Sequence, residues 1–103
     1  MKKGEVWWAN LPKPIGRRPV VLLSRNEAYS VRNAVTVAEV TTTIRDIPVE
    51  VPLGTTDGMP KKCVANLDTI ITISKDALDA RITSLTQNKI EDINEAVRFA
   101  LNL

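Results

Sequence analysis

The chain has no histidine and a single cysteine, Cys63, in 103 residues. The first absence removes the side chain that most often moves protons near neutral pH, and together the two leave no cluster of nitrogen and sulfur ligands for zinc. One cysteine also excludes an internal disulfide, so a reducing, cytoplasmic setting is expected. Long apolar runs are missing too. The longest aliphatic block, Val20 to Leu23, is far too short to cross a bilayer, and Met1-Lys2-Lys3 leads straight into Gly4-Glu5. A soluble, unexported protein without a membrane partner is the expectation. The acidic residues show neither D-x-D nor E-x-x-H spacing, which argues against a two-metal nuclease; no metal and no cofactor is expected. Fourteen basic against 12 acidic residues leave a net charge of only +2, so any anion binding must come from local clustering.

What is present points to one domain over residues 1–103, long enough for one modest core. Glu5 to Leu11 reads as a strand, ended by the prolines and glycine of Pro12-Lys13-Pro14-Ile15-Gly16. Arg18 to Ser24 is continuously apolar after its first residue, as in a strand buried on both faces, and Arg25 to Asn33 reads as a polar connection or short helical turn. Ala34 to Thr42 alternates under β-branched residues. In Ile47 to Leu53, Pro48 and Pro52 keep one backbone side free of ladder bonds, the mark of an edge strand. Gly54 to Lys62 is a loop by composition, followed by two short strands, Cys63 to Leu67 and Asp68 to Ser74, a turn at Lys75 to Ala80 and a brief strand at Arg81 to Leu85. Thr86 is a good N-cap for a helix over Gln87 to Leu101, with Ile90, Ile93, Val97, Ala100 and Leu101 on one stripe and Glu91, Asp92, Glu95 and Arg98 on the other face. There is no repeat or low-complexity segment. The pattern predicts a mainly β fold, a small, strongly bent antiparallel barrel with the helix packed over an opening.

Arg17 and Arg18 stand where the second strand begins. Paired guanidinium groups on a rigid element suit phosphate oxygens, although a solvated strand end looks the same. Thr41-Thr42-Thr43 puts hydroxyls at the end of the third strand, where they lie beside the second if the two pair; threonine is also simply favoured in strands. Asn66 and Asp68 fall on one face of a strand, or else form a turn. Trp7 and Trp8 point to opposite faces, so at most one is core, and the other suits an interface or base stacking. Cys63 has no histidine to activate it and reads as core.

Four blocks in order, Gly4 to Leu11, Arg18 to Ser24, Ala38 to Thr42 and Val64 to Ile70, resemble the successive blocks of the MazF/PemK toxin family, and the final helix extends the likeness over nearly the whole chain. The resemblance implies a Src-homology-three-like barrel working as a homodimer, and a metal-independent, sequence-selective endoribonuclease. It puts the family's catalytic arginine on Arg18 and its catalytic serine or threonine on Thr41. It further implies RNA as substrate and a cognate antitoxin whose acidic, partly apolar C-terminal tail occupies the RNA groove. Arg17, Arg25 and Lys61 are then candidates for flanking phosphates. Asn66 and Asp68 are candidates for positioning bases or orienting Arg18, and Ser24 and Thr69 complete the substrate-binding set. Two departures are visible. Pro12 to Arg17 is shorter than the family's usual loop, and Thr69 stands where many relatives have glutamine, so the cleavage sequence does not carry over. The competing reading is a non-catalytic toxin or RNA-binding module of the same fold, for example one directed at gyrase.

Overall fold

The computed structural model describes residues 1–103. β1 (Glu5–Asn10) and β2 (Arg17–Leu22) form an antiparallel hairpin around the proline-rich turn, closed where the Leu11 N–H donates to the Gly16 carbonyl at 3.0 Å. A short helical turn, α1 (Ala28–Val31), precedes β3 (Ala34–Thr41), and β4 (Glu50–Leu53), β5 (Cys63–Ser74) and β6 (Leu78–Ser84) complete one sheet. The helix α2 (Gln87–Leu101) ends the chain. Every strand pairs antiparallel, in the order β4-β5-β3-β2-β1-β6, so the expected barrel is a curled six-stranded half-barrel with two edges. As its prolines predict, β4 is one of them.

The curl is produced in β5. Ala38 on β3 faces Ile70, whereas the next residue, Glu39, faces Asn66, so Leu67, Asp68 and Thr69 have no partner on β3. Such an insertion bends a strand and raises its twist. This corrects the sequence reading. What looked like two short strands is one twelve-residue strand, and the polar Asp68 marks a bulge in it rather than a break. Other boundaries move as well: β2 stops at Leu22, β4 begins only at Glu50, and β6 begins at Leu78 after a 3-10 turn over Lys75–Ala77.

The sheet buries both faces. Val6, Val21, Ala38, Val40, Ala65 and Leu67 pack under Ile93 and Ala96 of α2, and Ala9, Val20, Leu22, Val35 and Val37 pack with Tyr29 of α1 on the other side. Neighbours Val20 and Val21 therefore belong to different cores, which is why β2 reads as an unbroken apolar run. Each large side chain so buried contributes roughly 1.5–3 kcal/mol. The Thr86 hydroxyl accepts the Lys89 N–H at 3.3 Å, capping α2 as expected. Leu101, in contrast, is exposed in the last turn of α2, and Ala96, outside the expected stripe, is buried with Ile93.

The loop between β4 and β5 is pinned to β6. Gly58 has φ +90, and a Cβ there would lie 2.3 Å from the Thr83 hydroxyl, which donates to the Asp57 carbonyl at 2.9 Å. Only glycine meets both demands. The contact seats Met59 in the core and brings Lys61 to the end of the sheet where β2 starts.

Candidate active site

Arg17 and Arg18 are adjacent in a strand, so their side chains diverge to opposite faces. Arg17 turns towards Trp8: its guanidinium carbon is 4.5 Å from the ring centroid, and its Nη2 and Nε donate to Asp79 Oδ2 at 2.9 and 3.3 Å. Arg18 turns the other way and donates from Nη1 to Glu39 Oε1 at 3.0 Å. Glu39 is buried in the middle of β3, with 7% of its side chain exposed, against 36% for Arg18.

Two cavities meet at this point. One, of about 220 Å³, is lined by Trp8, Arg17, Arg18, Thr41, Lys61 and Cys63 among others. The second, of about 260 Å³, is lined wholly by polar side chains, including Arg18, Glu39, Thr41, Arg45, Asn66 and Thr69. Arg18 and Thr41 line both. The Thr41 oxygen accepts the Thr43 N–H at 3.1 Å, which leaves the hydroxyl proton free for an outside acceptor. Asn66 similarly uses Oδ1 to accept the Asp68 N–H at 2.9 Å, keeping its amide N–H groups available. A guanidinium, a hydroxyl and an amide converging on one opening suit an anion with several oxygens.

Not every residue singled out in the sequence arrives there. Arg17, Arg18, Thr41, Lys61, Asn66 and Thr69 line one or both cavities; Asp68, exposed on the bulge, lines neither. Ser24 lies beyond the opposite end of β2, where its Oγ accepts the Thr36 N–H at 2.9 Å and its carbonyl accepts the Tyr29 hydroxyl at 2.8 Å. Arg25 follows it on the surface, so this pair is structurally remote from Arg18. Burial pushes the Cys63 thiol up, with Asp57 adding and Lys61 opposing, which leaves it a protonated wall of the first cavity.

Glu39 and Arg45 escaped the sequence reading. A signal for Glu39 existed: it is the one charge inside Ala34–Thr41, and a charge in an otherwise apolar strand needs a partner. Glu5 is a second buried carboxylate, away from the site. Desolvation raises its pKa, but donation from the Trp7 indole and the Lys2 N–H, the nearby N-terminal charge and Arg81 together hold it below the usual carboxylate range.

Comparison with known proteins places this geometry in context. Residues 2–101 match the family described as PemK-like, MazF-like toxin of type II toxin-antitoxin system. The chain is 38% identical over 101 residues to the probable endoribonuclease MazF5 of Mycobacterium tuberculosis, covering 97% of this chain and 92% of that protein. Over 99 residues it is 33% identical to the probable endoribonuclease MazF2 of the same organism, covering 95% of each. Among solved structures, M. tuberculosis toxin MazF-mt6 superimposes with a TM-score of 0.89 at 30% identity, over 96% of this chain and 97% of that one. An endoribonuclease in complex with its cognate antitoxin from a mycobacterial species superimposes with a TM-score of 0.88, also at 30% identity, over all of this chain and 96% of that one.

Proposed function

The chain belongs to the PemK-like, MazF-like toxin family of type II toxin–antitoxin systems and is an endoribonuclease, and from that premise we propose that it cuts single-stranded RNA sequence-selectively and without metal, through Arg18 and Thr41. In this reading the 2′-hydroxyl attacks the adjacent phosphorus, and the products are a 2′,3′-cyclic phosphate and a 5′-hydroxyl. Charge then builds on the non-bridging oxygens and on the departing 5′-oxygen, where fixed donors are most effective. Arg18 neutralises that charge and protonates the leaving oxygen, and Thr41 donates to a non-bridging oxygen. An arginine stays protonated at neutral pH, so it serves as donor rather than base.

The observation that carries the proposal is that Arg18 and Thr41, 23 positions apart in the numbering, line the same two cavities. Around them Arg17 and Lys61 suit flanking phosphates, and Asn66 and Thr69 suit base edges. The function follows as growth inhibition by RNA cleavage in the cytoplasm, held in check by an antitoxin. No helix is long and apolar enough to cross a membrane. A homodimer fits the exposed Val31, Phe99, Leu101 and Leu103, which leave apolar surface for a second copy to cover.

The test is incubation of the purified protein with unstructured RNA, followed by end-group analysis. Cleavage leaving 5′-hydroxyl ends supports the reading. Intact RNA, or RNA bound but not cut, would favour a non-catalytic toxin of the same fold.

A further inference from the structure

We propose that Glu39 is the general base that takes the proton from the attacking 2′-hydroxyl. The inference rests on the cleavage reading above and assigns the one role that reading leaves empty. A chain without histidine must find its proton acceptor elsewhere. Among all the side chains lining the two cavities, Glu39 is the single carboxylate. The other ionisable groups there are unsuited: guanidinium and ammonium groups are already protonated at neutral pH, and the Cys63 thiol is pushed up by burial. Carboxylates elsewhere are engaged or remote. Asp79 holds Arg17, Asp57 accepts the Gly54 N–H at 2.9 Å, and Asp68 lines neither cavity.

The geometry of Glu39 fits the task. Its Oε1 accepts from Arg18 at 3.0 Å, whereas no hydrogen bond within the chain engages Oε2. The only fully buried side-chain oxygen or nitrogen without a partner is Glu50 Oε2, so Glu39 Oε2 is open to the polar cavity that its residue lines. A base must lie within hydrogen-bond reach of the proton it takes, and a substrate seated against Arg18 and Thr41 brings its 2′-hydroxyl to this wall. The charged groups facing Glu39 are Arg18 from β2, Arg45 from the loop after β3, and Glu50 from β4 beyond Asn66; Asn66 and Thr69 from β5 are neutral. Glu50 is itself held by the Arg45 and Asp46 N–H groups, both at 2.9 Å.

The step balances. The O2′–P bond forms as the hydroxyl proton passes to Oε2, and the P–O5′ bond breaks as Arg18 protonates the leaving oxygen. Glu39, now neutral, releases its proton from Oε2 to solvent in the open cavity and Arg18 regains one from solvent, so both groups end as they began.

The experiment compares kcat/KM against pH for the unaltered protein, Glu39→Gln and Glu39→Asp on a single-stranded RNA oligonucleotide that the unaltered protein cleaves. Binding is measured in parallel with the same oligonucleotide carrying a 2′-deoxy residue at the cut. The unaltered protein is expected to lose activity towards acid with unit slope. Glu39→Gln, which keeps an oxygen for Arg18, is expected to lose about 100-fold or more of its cleavage together with that acid limb, and to bind the deoxy oligonucleotide within a few-fold of normal. Glu39→Asp is expected to retain an acid limb at a shifted pH, and it decides the matter if the glutamine variant does not fold. Near-normal cleavage by folded Glu39→Gln with its acid limb in place, or an unshifted limb in Glu39→Asp, would overturn the base while leaving the cleavage reading intact. Intact RNA with the unaltered protein would overturn both.

Discussion

Arg17 sits over the ring of Trp8, its guanidinium carbon 4.5 Å from the indole centroid, while the same guanidinium holds Asp79. Its neighbour Arg18 faces the opposite way, to Glu39. One dipeptide thus serves two cavities: a partly apolar one with a cation held on an aromatic face, and a wholly polar one with a cation held on a carboxylate. Arg17 is ordered by stacking and pairing before any ligand arrives, which lowers the entropy lost on binding an anion.

Arg18→Ala and Thr41→Ala are each expected to reduce cleavage about 100- to 1,000-fold, the size of effect seen when one preorganised donor to a developing oxyanion is deleted. Circular dichroism should keep its native shape in both, since Thr41 lies at a strand end, but Arg18→Ala should also lower the unfolding midpoint because it leaves the buried Glu39 without its partner. Near-normal cleavage by folded Arg18→Ala would sink the mechanism.

Cleavage is expected to continue in excess EDTA, since no three histidine, cysteine, aspartate or glutamate side chains are grouped to hold a metal ion. A single 2′-deoxy substitution at the cut site should abolish it. If the deoxy substrate were still cut, water rather than the ribose hydroxyl would be the nucleophile.

An acidic, partly apolar peptide from the tail of a cognate antitoxin is expected to inhibit competitively with RNA, presenting carboxylates where phosphates would lie near Arg17, Arg18 and Lys61. Arg17→Glu should weaken both ligands, roughly tenfold each at low salt and less at high salt, because it sets a second carboxylate beside Asp79. Steady-state inhibition kinetics decide the point: RNA still bound in the inhibited complex would place the peptide elsewhere.

Tyr29 offers a titration free of overlap, as the chain has one tyrosine. Burial, with a smaller contribution from the Glu5 charge, pushes its phenol up to about 12. The protonated form is therefore favoured by folding, so its contribution is complete below about pH 10 and is lost as pH rises towards 12. Ultraviolet difference spectra should show ionisation well above that of a free phenol. Tyr29→Phe, losing the bond to the Ser24 carbonyl, should cost about 1 kcal/mol in urea unfolding. A phenol titrating at its ordinary value would contradict the buried setting.

Much of the architecture was legible because it rests on local chemistry. The unbroken run Val20 to Leu23 announced a strand between two cores, Pro48 and Pro52 announced an edge, and Thr86 announced the start of α2. The continuous β5 was not legible. Asp68 and Asn66 have turn propensity; Asn66 is held extended between Glu39 of β3 and Glu50 of β4, and β3 pairs with β5 again from Ile70, which carries the strand through the unpaired Asp68. Ser24 was equally ambiguous: a serine closing the arginine block looks like a ligand contact until its oxygen is found on the Thr36 N–H.

By itself the sequence determined the kinds of groups available: no histidine, arginines at a strand entrance, threonines at a strand end, and a family signature that binds them together. Those properties depend on residue type, order and short-range periodicity, and are carried by a one-dimensional chain. Which groups meet was decided by tertiary structure alone. The Arg18–Glu39 contact requires the β2–β3 register, in which Val20 faces Glu39, and the polar cavity beside it requires the bulge that sets Asn66 opposite Glu39. Register is settled by the burial of whole faces and by the bend of the sheet, which are sums over many distant contacts. No local pattern encodes them.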